Sequence, residues 1–517
     1  MMRKLGIAAV AVLVAVHLTI WTVTLLVSPV GFDEAFILQA PLNLVQGMGY
    51  STEDWLAGGS NLQFDATVST GPVLGIPVAA SFAIFGVSIT AARLVTLPFF
   101  LLLIWGLIVL GRRYAGWWGS AAALGMLLVV DTRTDLPYSV IYGPSDVLGE
   151  YTTAALLVLA FVILPRHRLL AGLAVGFAIL CKFIAVIAVP GVVIAMLLVP
   201  AVTGARWAAR IGEAAAFVGF VAIPSVVWEL VKLVSLGPSA YLDSLWSYLR
   251  FVFRSGSGAD GTNSGAYLDR ASRLFATWQF PTVVAFAIGL VVIVLCVVGI
   301  WRRSVDRGFA ATPELRWRAR ASGFLGGVGV EIAAVVVTLG GVALWWTFVS
   351  SSVYTRHMLP ILLATVPVVA ALAVHGLRWV SGRNRGWQIA SALAAGAAVV
   401  TTGYGGVQSI VASTQSPGWT RSDQQATADF VRSLDVPAVQ GIGWWEAPDI
   451  RFLSGVVSRP IGTTASGGPL VIGPMMEIHD PRTHGIALSL CEQRLFERGG
   501  FIVCEVDPDA APIPTGA

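Results

Sequence analysis

Gly31-Phe32-Asp33-Glu34-Ala35 follows directly on the first hydrophobic span of the chain. The stretch that it opens, Gly31 to Thr70, carries five carboxylates without one Lys or Arg. Met1 to Val27 sets Arg3 and Lys4 ahead of some twenty apolar residues, enough at 1.5 Å per residue to cross a hydrocarbon core of ~30 Å. That run exceeds the ~7–15 residues of a signal-peptide h-region and reads as a retained anchor. Asp33 and Glu34 therefore fall where the chain leaves the bilayer, and an adjacent acid pair is costly to desolvate there. Two readings stand at this point, a solvated loop start and a functional site.

Composition sets the class. Of 517 residues 56% are hydrophobic and 12% charged, and the mean hydropathy is +0.77, which is too apolar for a soluble protein of this length. The net charge of +4 does not point to nucleic acid, because the arginines cluster in short loops between apolar spans, the positive-inside pattern. Those clusters (Arg3/Lys4, Arg112/Arg113, Arg166/Arg168, Arg206/Arg210, Arg302 to Arg320, Arg378/Arg383/Arg385) mark the cytoplasmic side.

Threading spans between the clusters gives an all-α polytopic membrane protein of about eleven transmembrane helices, N-terminus inside and C-terminus outside. The first outer loop is 30–87. Its apolar run Pro72 to Phe85 is short and contains Pro77; a crossing there would force Arg112/Arg113 outside, so an interfacial helix is expected. Ser88 to Leu110 goes in and Trp117 to Val130 goes out. A second outer loop, 131–150, carries Asp131, Asp135, Asp146 and Glu150. Leu169 to Pro200 is expected to form two short helices with Lys182 near the outer turn. The third outer loop is 237–280, and Tyr354 to His357 is a tight outer turn before the penultimate span.

Residues 1–415 thus form the membrane domain. From 416 to 517 the composition turns polar, and short strand-like runs (Ala438 to Ile442, Leu470 to Ile472, Phe501 to Val506) beside a helical Asp423 to Leu434 predict a small extracytoplasmic α/β domain. Cys491 and Cys504 are the pair that could form a disulfide there, if the tail faces an oxidising compartment. His479 and His484 are spaced as metal ligands could be, but a lone pair in a loop is weak support.

This topology brings the Asp33/Glu34 loop, the Asp146/Glu150 loop, Lys182 and Arg356/His357 to one side of the membrane. A carboxylate there can act as general base toward a hydroxyl, and a nearby cation can hold a departing phosphate. The order of motifs resembles the GT-C superfamily of integral-membrane glycosyltransferases, in the branch of the protein mannosyltransferases and the lipid-A aminoarabinose transferases. The resemblance rests on Asp33-Glu34-Ala35, Ser69-Thr70-Gly71-Pro72 leading to Phe82-Ala83-Ile84-Phe85-Gly86, Gly149-Glu150, Gly172 to Phe177 leading to Cys181-Lys182, and Arg356-His357-Met358-Leu359-Pro360.

The resemblance implies a plasma-membrane enzyme that moves a sugar from a polyprenyl-phosphate donor to an acceptor hydroxyl on a glycan, lipid or protein at the outer face, with inversion. It implies Asp33 as base with Glu34 in support, Glu150 or Asp146 orienting the acceptor, and Lys182 and Arg356, beside His357, on the donor phosphate. Asp33 with Glu150 could hold a divalent cation, which the sequence does not demand. The chain departs from the aminoarabinose branch at Thr70-Gly71-Pro72, where a Lys is missing. Its 237–280 loop is too short for the inserted domain of the protein-mannosylating branch. A secondary transporter or flippase, and a non-catalytic envelope scaffold, are the rival readings; the first would place its polar residues at the membrane midplane and not at the outer ends.

Overall fold

A computed structural model describes residues 2–54, 60–65, 67–129, 143–199, 207–250, 330–346, 355–382, 385–414, 419–442, 447–460 and 468–506. Asp131, Asp135, most of the 237–280 loop, the span expected over Thr282 to Ile300 and the basic loop after it lie outside the described residues.

The chain opens with α1 (Met2–Val27) and α2 (Phe32–Val45), followed by an antiparallel hairpin of β1 (Ser51–Asp54) and β2 (Ser60–Gln63), then α3 (Pro72–Phe85), α4 (Ile89–Leu94) and α5 (Thr96–Leu127). Helix α3 has the bounds expected for the interfacial segment. It starts with Pro72 in the first turn, where a missing N–H costs nothing. Within α5 the backbone at Gly116 has φ +70°, outside helical space. A Cβ on Gly111 or Gly119 would meet the other residue's carbonyl oxygen at 2.7 or 2.3 Å, so the chain turns back on itself there. The reversal yields the two antiparallel segments expected on either side of Arg112/Arg113.

Next come α6 (Glu150–Ile163), α7 (Arg168–Cys181), a 3-10 turn (Phe183–Ile187), α8 (Ala188–Leu198), α9 (Trp207–Leu236) and α10 (Pro238–Arg250). After the undescribed stretch follow α11 (Val330–Leu344), a 3-10 turn (Thr355–Met358), α12 (Leu359–Ser381) and α13 (Arg385–Thr414). Among the described residues four helical stretches are long and apolar enough to cross a membrane, and five shorter apolar helices accompany them. Helix α12 lies at the centre against α5 and α6. Leu103, Leu107, Phe161, Leu362 and Trp346 are fully enclosed in this core. Helices satisfy their own backbone hydrogen bonds, which is why an apolar chain in lipid is built from them.

The tail is an α/β unit: α14 (Arg421–Ser433), β3 (Ala438–Gly441), α15 (Pro448–Ser454), β4 (Val457–Pro460), β5 (Leu470–Ile472), α16 (Pro474–His479), α17 (Pro481–Ser489), β6 (Cys491–Arg498) and β7 (Phe501–Val506). The strand order is β4-β3-β5-β7-β6, with β4, β3 and β5 parallel and β7 and β6 antiparallel to their neighbours. Thr420 caps α14 through the Asp423 N–H, and Asp423 returns a bond to the Thr420 N–H. Trp419, Val431, Ile450, Val471 and Phe501 form the tail's core. Cys491 and Cys504 form a disulfide across β6 and β7. Strands β4 and β6 go beyond the runs expected from the sequence: β6 is largely exposed on both faces, so it lacks the alternation by which strands are recognised.

Candidate active site

The exit of α1 and the entry of α2 are held by a residue that no sequence motif singles out. Arg93, in the last turn of α4, is wholly buried and uses all five of its N–H groups. Nε donates to Glu34 Oε1 (2.9 Å) and Nη2 to Glu34 Oε2 (2.6 Å). Nη1 donates to the carbonyls of Thr24 (3.0 Å) and Ser28 (2.9 Å), and Nη2 also to that of Pro29 (2.8 Å). The carbonyls that end a helix have no intrahelical partner, and a cation among them also meets the negative end of the helix dipole. The signal that could have found Arg93 is a lone cation well inside an expected span, since such a charge needs a partner.

Glu34, expected beside Asp33, is 1% exposed. Besides Arg93 it accepts from the backbone N–H of Val147 (3.1 Å) and of Gly31 (3.3 Å). It therefore joins the start of α2 to the segment that precedes α6. Asp146 lies 3.5 Å from Arg93 Nη2 through Oδ1 and accepts from the Gly143 N–H through Oδ2 (2.6 Å). Asp33, one residue before Glu34, is half-buried in the first turn of α2. Asp65 is occupied within its own loop, accepting from Thr52 and twice from Thr67.

Three motifs from separate parts of the chain meet at a second junction. The Gly71 N–H donates to the Cys181 carbonyl (2.9 Å), and the Thr70 hydroxyl to the Leu148 carbonyl (2.7 Å). Gly149, at φ +89°, has the left-handed conformation that favours glycine, and Glu150 then starts α6. Lys182, buried, donates to Glu150 Oε1 and to the Leu148 carbonyl (3.0 Å). The ammonium is thus neutralised inside the protein. Glu150 Oε2 is buried without a hydrogen-bond partner among the described residues. Arg356 and His357 lie in the 3-10 turn that leads into α12, with His357 half-buried; the Arg356 side chain lies outside the described set.

The tail domain reaches the same segment from the other side. Arg421 donates to the carbonyls of Leu25 and Leu26 (3.0 Å each) and to the Thr90 hydroxyl (3.3 Å). Burial, and then the charge of Arg93 nearby, lower its pKa. Gln424, also on α14, brackets Val30 with its side-chain amide. Among the described residues no group of three or more His, Cys, Asp or Glu could hold a metal ion. Asp33 and Glu150 belong to no such group, and the His479 side chain lies outside the described set.

No family model matches the chain, and no curated protein sequence matches it. Solved structures do. The crystal structure of ArnT from Cupriavidus metallidurans in the apo state aligns over 96% of this chain and 97% of its own, at a TM-score of 0.56 and 15% identity. ArnT bound to undecaprenyl phosphate aligns over 98% and 99%, at 0.51 and 16%. The oligosaccharyltransferase of Archaeoglobus fulgidus aligns over 86% of this chain and 62% of its own, at 0.48 and 13%. From its first helix to its tail domain, the chain has the fold of the GT-C glycosyltransferase ArnT.

Proposed function

We propose that the protein is a membrane glycosyltransferase that moves a sugar from a polyprenyl-phosphate donor to an acceptor hydroxyl at the extracytoplasmic face, with Asp33 as general base. The observation that carries this reading is the setting of Asp33. Its neighbour Glu34 is locked by Arg93, and the backbone on its N-terminal side is held by Arg93 and the tail. A base fixed by its flanking residues, on a backbone that does not need to reorganise, is what a displacement at an anomeric carbon requires.

In this reading the sugar is attacked from the face opposite the departing lipid phosphate, which inverts the anomeric centre. Asp33 takes the hydroxyl proton as the new C–O bond forms and the bond to phosphate breaks. The phosphate leaves as a stable anion, and Arg356 and His357 are the residues proposed to receive it. Glu150 orients the acceptor, its unpartnered Oε2 being able to accept from a hydroxyl, and Asp146 supports Arg93. Lys182, neutralised by Glu150, sets the Glu150 carboxylate and takes part in phosphate binding only where that pair opens. About eleven spans with the tail outside complete the proposed topology.

The test is transfer of label from a panel of undecaprenyl-phosphate sugars into membrane extracts that contain the wild type or Asp33→Ala. Transfer with one donor, lost in the variant while the protein stays folded, supports the reading and identifies the sugar. Transfer that survives Asp33→Ala overturns it.

A further inference from the structure

Resting on the reading of Asp33 as base, we propose that Gln424 and Asp449 of the tail domain are positioning residues for the Asp33 loop, which makes the tail part of the transfer machinery. Gln424 is 1% exposed, and its side-chain amide pairs with both backbone groups of Val30. The Val30 N–H donates to Oε1 (2.8 Å), and Nε2 donates to the Val30 carbonyl (2.9 Å). The second proton of Nε2 goes to Asp449 Oδ2 (2.7 Å). The amide therefore mimics one rung of a β-ladder laid on a residue three positions before Asp33.

Asp449 reinforces the orientation of that amide, which the two Val30 groups set. A carboxylate only accepts, so a flipped amide would aim its oxygen at the Asp449 carboxylate and the Val30 carbonyl together. Only one orientation leaves no repulsion, and it is the one that grips Val30 by both groups. The surrounding seam is not filled by side chains: a small pocket lies there, lined by Val30, Phe32, Trp419, Gln424, Asp449 and Phe501 among others. Beside this pocket the tail also packs on the membrane domain, with the Phe452 ring against Phe82. Arg421, one turn earlier on α14, grips Leu25 and Leu26, and Arg93 grips Thr24, Ser28 and Pro29. Of these grips, Gln424's is the nearest to Asp33 that comes from the tail.

A tether that served only to hold the tail in place would leave turnover unchanged while the tail stays docked. A positioning role predicts a loss in kcat, because a base misplaced by ~1 Å costs about 10²-fold in rate. The experiment is steady-state transfer by the full chain with the undecaprenyl-phosphate sugar that the wild type turns over, for Asp33→Ala, Gln424→Glu, Asp449→Ala and Asp449→Asn. Thermal unfolding is measured in parallel. Gln424→Glu keeps the shape but loses both donors, and it is expected to lower kcat about tenfold or more with little change in donor KM. Asp449→Ala is expected to do the same, whereas Asp449→Asn restores activity, since an amide oxygen accepts the same hydrogen bond.

Unchanged kcat in Gln424→Glu overturns the proposal. So does a loss in Asp449→Asn equal to that in Asp449→Ala, or losses that follow the unfolding temperature. A wild type that transfers nothing, or an Asp33→Ala variant as active as the wild type, overturns the underlying reading and this proposal with it. An inactive Asp33→Ala beside a fully active Gln424→Glu overturns the positioning role alone.

Discussion

Arg93 and Glu34 meet as a two-point fork, 2.9 Å from Nε to Oε1 and 2.6 Å from Nη2 to Oε2, with the two side chains 0% and 1% exposed. A buried pair of this kind adds little net stability over an apolar pair, but loss of one partner strands the other's charge, at roughly 3–5 kcal/mol. Arg93→Ala is therefore expected to lower the unfolding temperature in detergent sharply and to reduce the yield of folded protein. Arg93→Lys keeps the charge but has three donors where five are used, and should fall between the two. Wild-type thermal stability in Arg93→Ala would mean that the fork does not hold the junction of α1 and α2.

The two adjacent acids should separate by their failures. Asp33→Asn replaces a half-buried carboxylate that is the proposed base, and the expected result is a fall in kcat of about 10²–10⁴-fold with an unfolding temperature close to wild type. Glu34→Gln weakens the fork and the bond from Val147, so its lost activity should come with lost stability. Kinetics and thermal unfolding on the same preparations check the contrast; equal behaviour of the two variants would mean that Asp33 is structural as well.

Gly71 is tested by one carbon atom. A Cβ at this residue would lie 1.8 Å from the Leu180 carbonyl oxygen, and that oxygen belongs to backbone which cannot swing away. Gly71→Ala must push the start of α3 off the end of α7. The Gly71–Cys181 hydrogen bond then breaks and the adjacent Thr70–Leu148 contact is strained. Activity should fall although no proposed catalytic group is altered, and Ser69→Ala, just outside the contact, should be neutral. Transfer rates of the two variants decide it.

That junction also shows how far the sequence carries. Ser69-Thr70-Gly71-Pro72, Gly149-Glu150 and Cys181-Lys182 each stand out locally, through a proline-started helix, a left-handed glycine and a cation at a helix end. Their meeting depends on the turn at Gly116 and on the order of the spans, both readable from basic clusters and glycine. What the sequence hides is polar but not patterned. Arg93 sits in an apolar run whose hydropathy masks it, and its partners are mostly backbone carbonyls, which no side-chain motif announces. Gln424 and Asp449 lie in a polar domain where such residues are ordinary, and the bond from Gln424 to Val30 spans 394 positions. The pairing of Lys182 with Glu150 is hidden for a related reason: each residue stands out on its own grounds, as a separate ligand.

The tail's disulfide bears on which side the domain occupies. Cys491 and Cys504 are 13 positions apart, and a closed loop of about that length contributes roughly 3 kcal/mol where the bond forms. With the tail in an oxidising compartment, as proposed, neither thiol should react with an alkylating reagent until the protein is reduced. Mass shifts of the peptides that carry Cys491 and Cys504, taken from cells before and after reduction, measure this, since Cys181 and Cys296 also bear thiols. Alkylation of both Cys491 and Cys504 before reduction would place the tail on the reducing side and invert the proposed topology.

Asp449 supplies a dependence on pH whose sign can be worked out. Desolvation pushes its carboxyl from 3.8 up to about 6, against hydrogen bonds from Gln424 and the backbone that lower it. Between those two values the folded domain holds a proton that the unfolded chain has released, so stability falls as pH rises through the window. This contribution is fully present below about pH 4 and lost above about pH 6. A rise of that size corresponds to about 3 kcal/mol at most, less what the residue's residual exposure screens. Hydrogen exchange of the α14 amides in the full chain, corrected for intrinsic rates, should therefore show protection falling between pH 4 and 6 in the wild type. In Asp449→Asn the dependence should disappear and protection at pH 7 should rise, since a neutral amide carries no charge to desolvate. Equal slopes in the two proteins would mean that the Asp449 carboxyl is solvated and does not carry this dependence on pH.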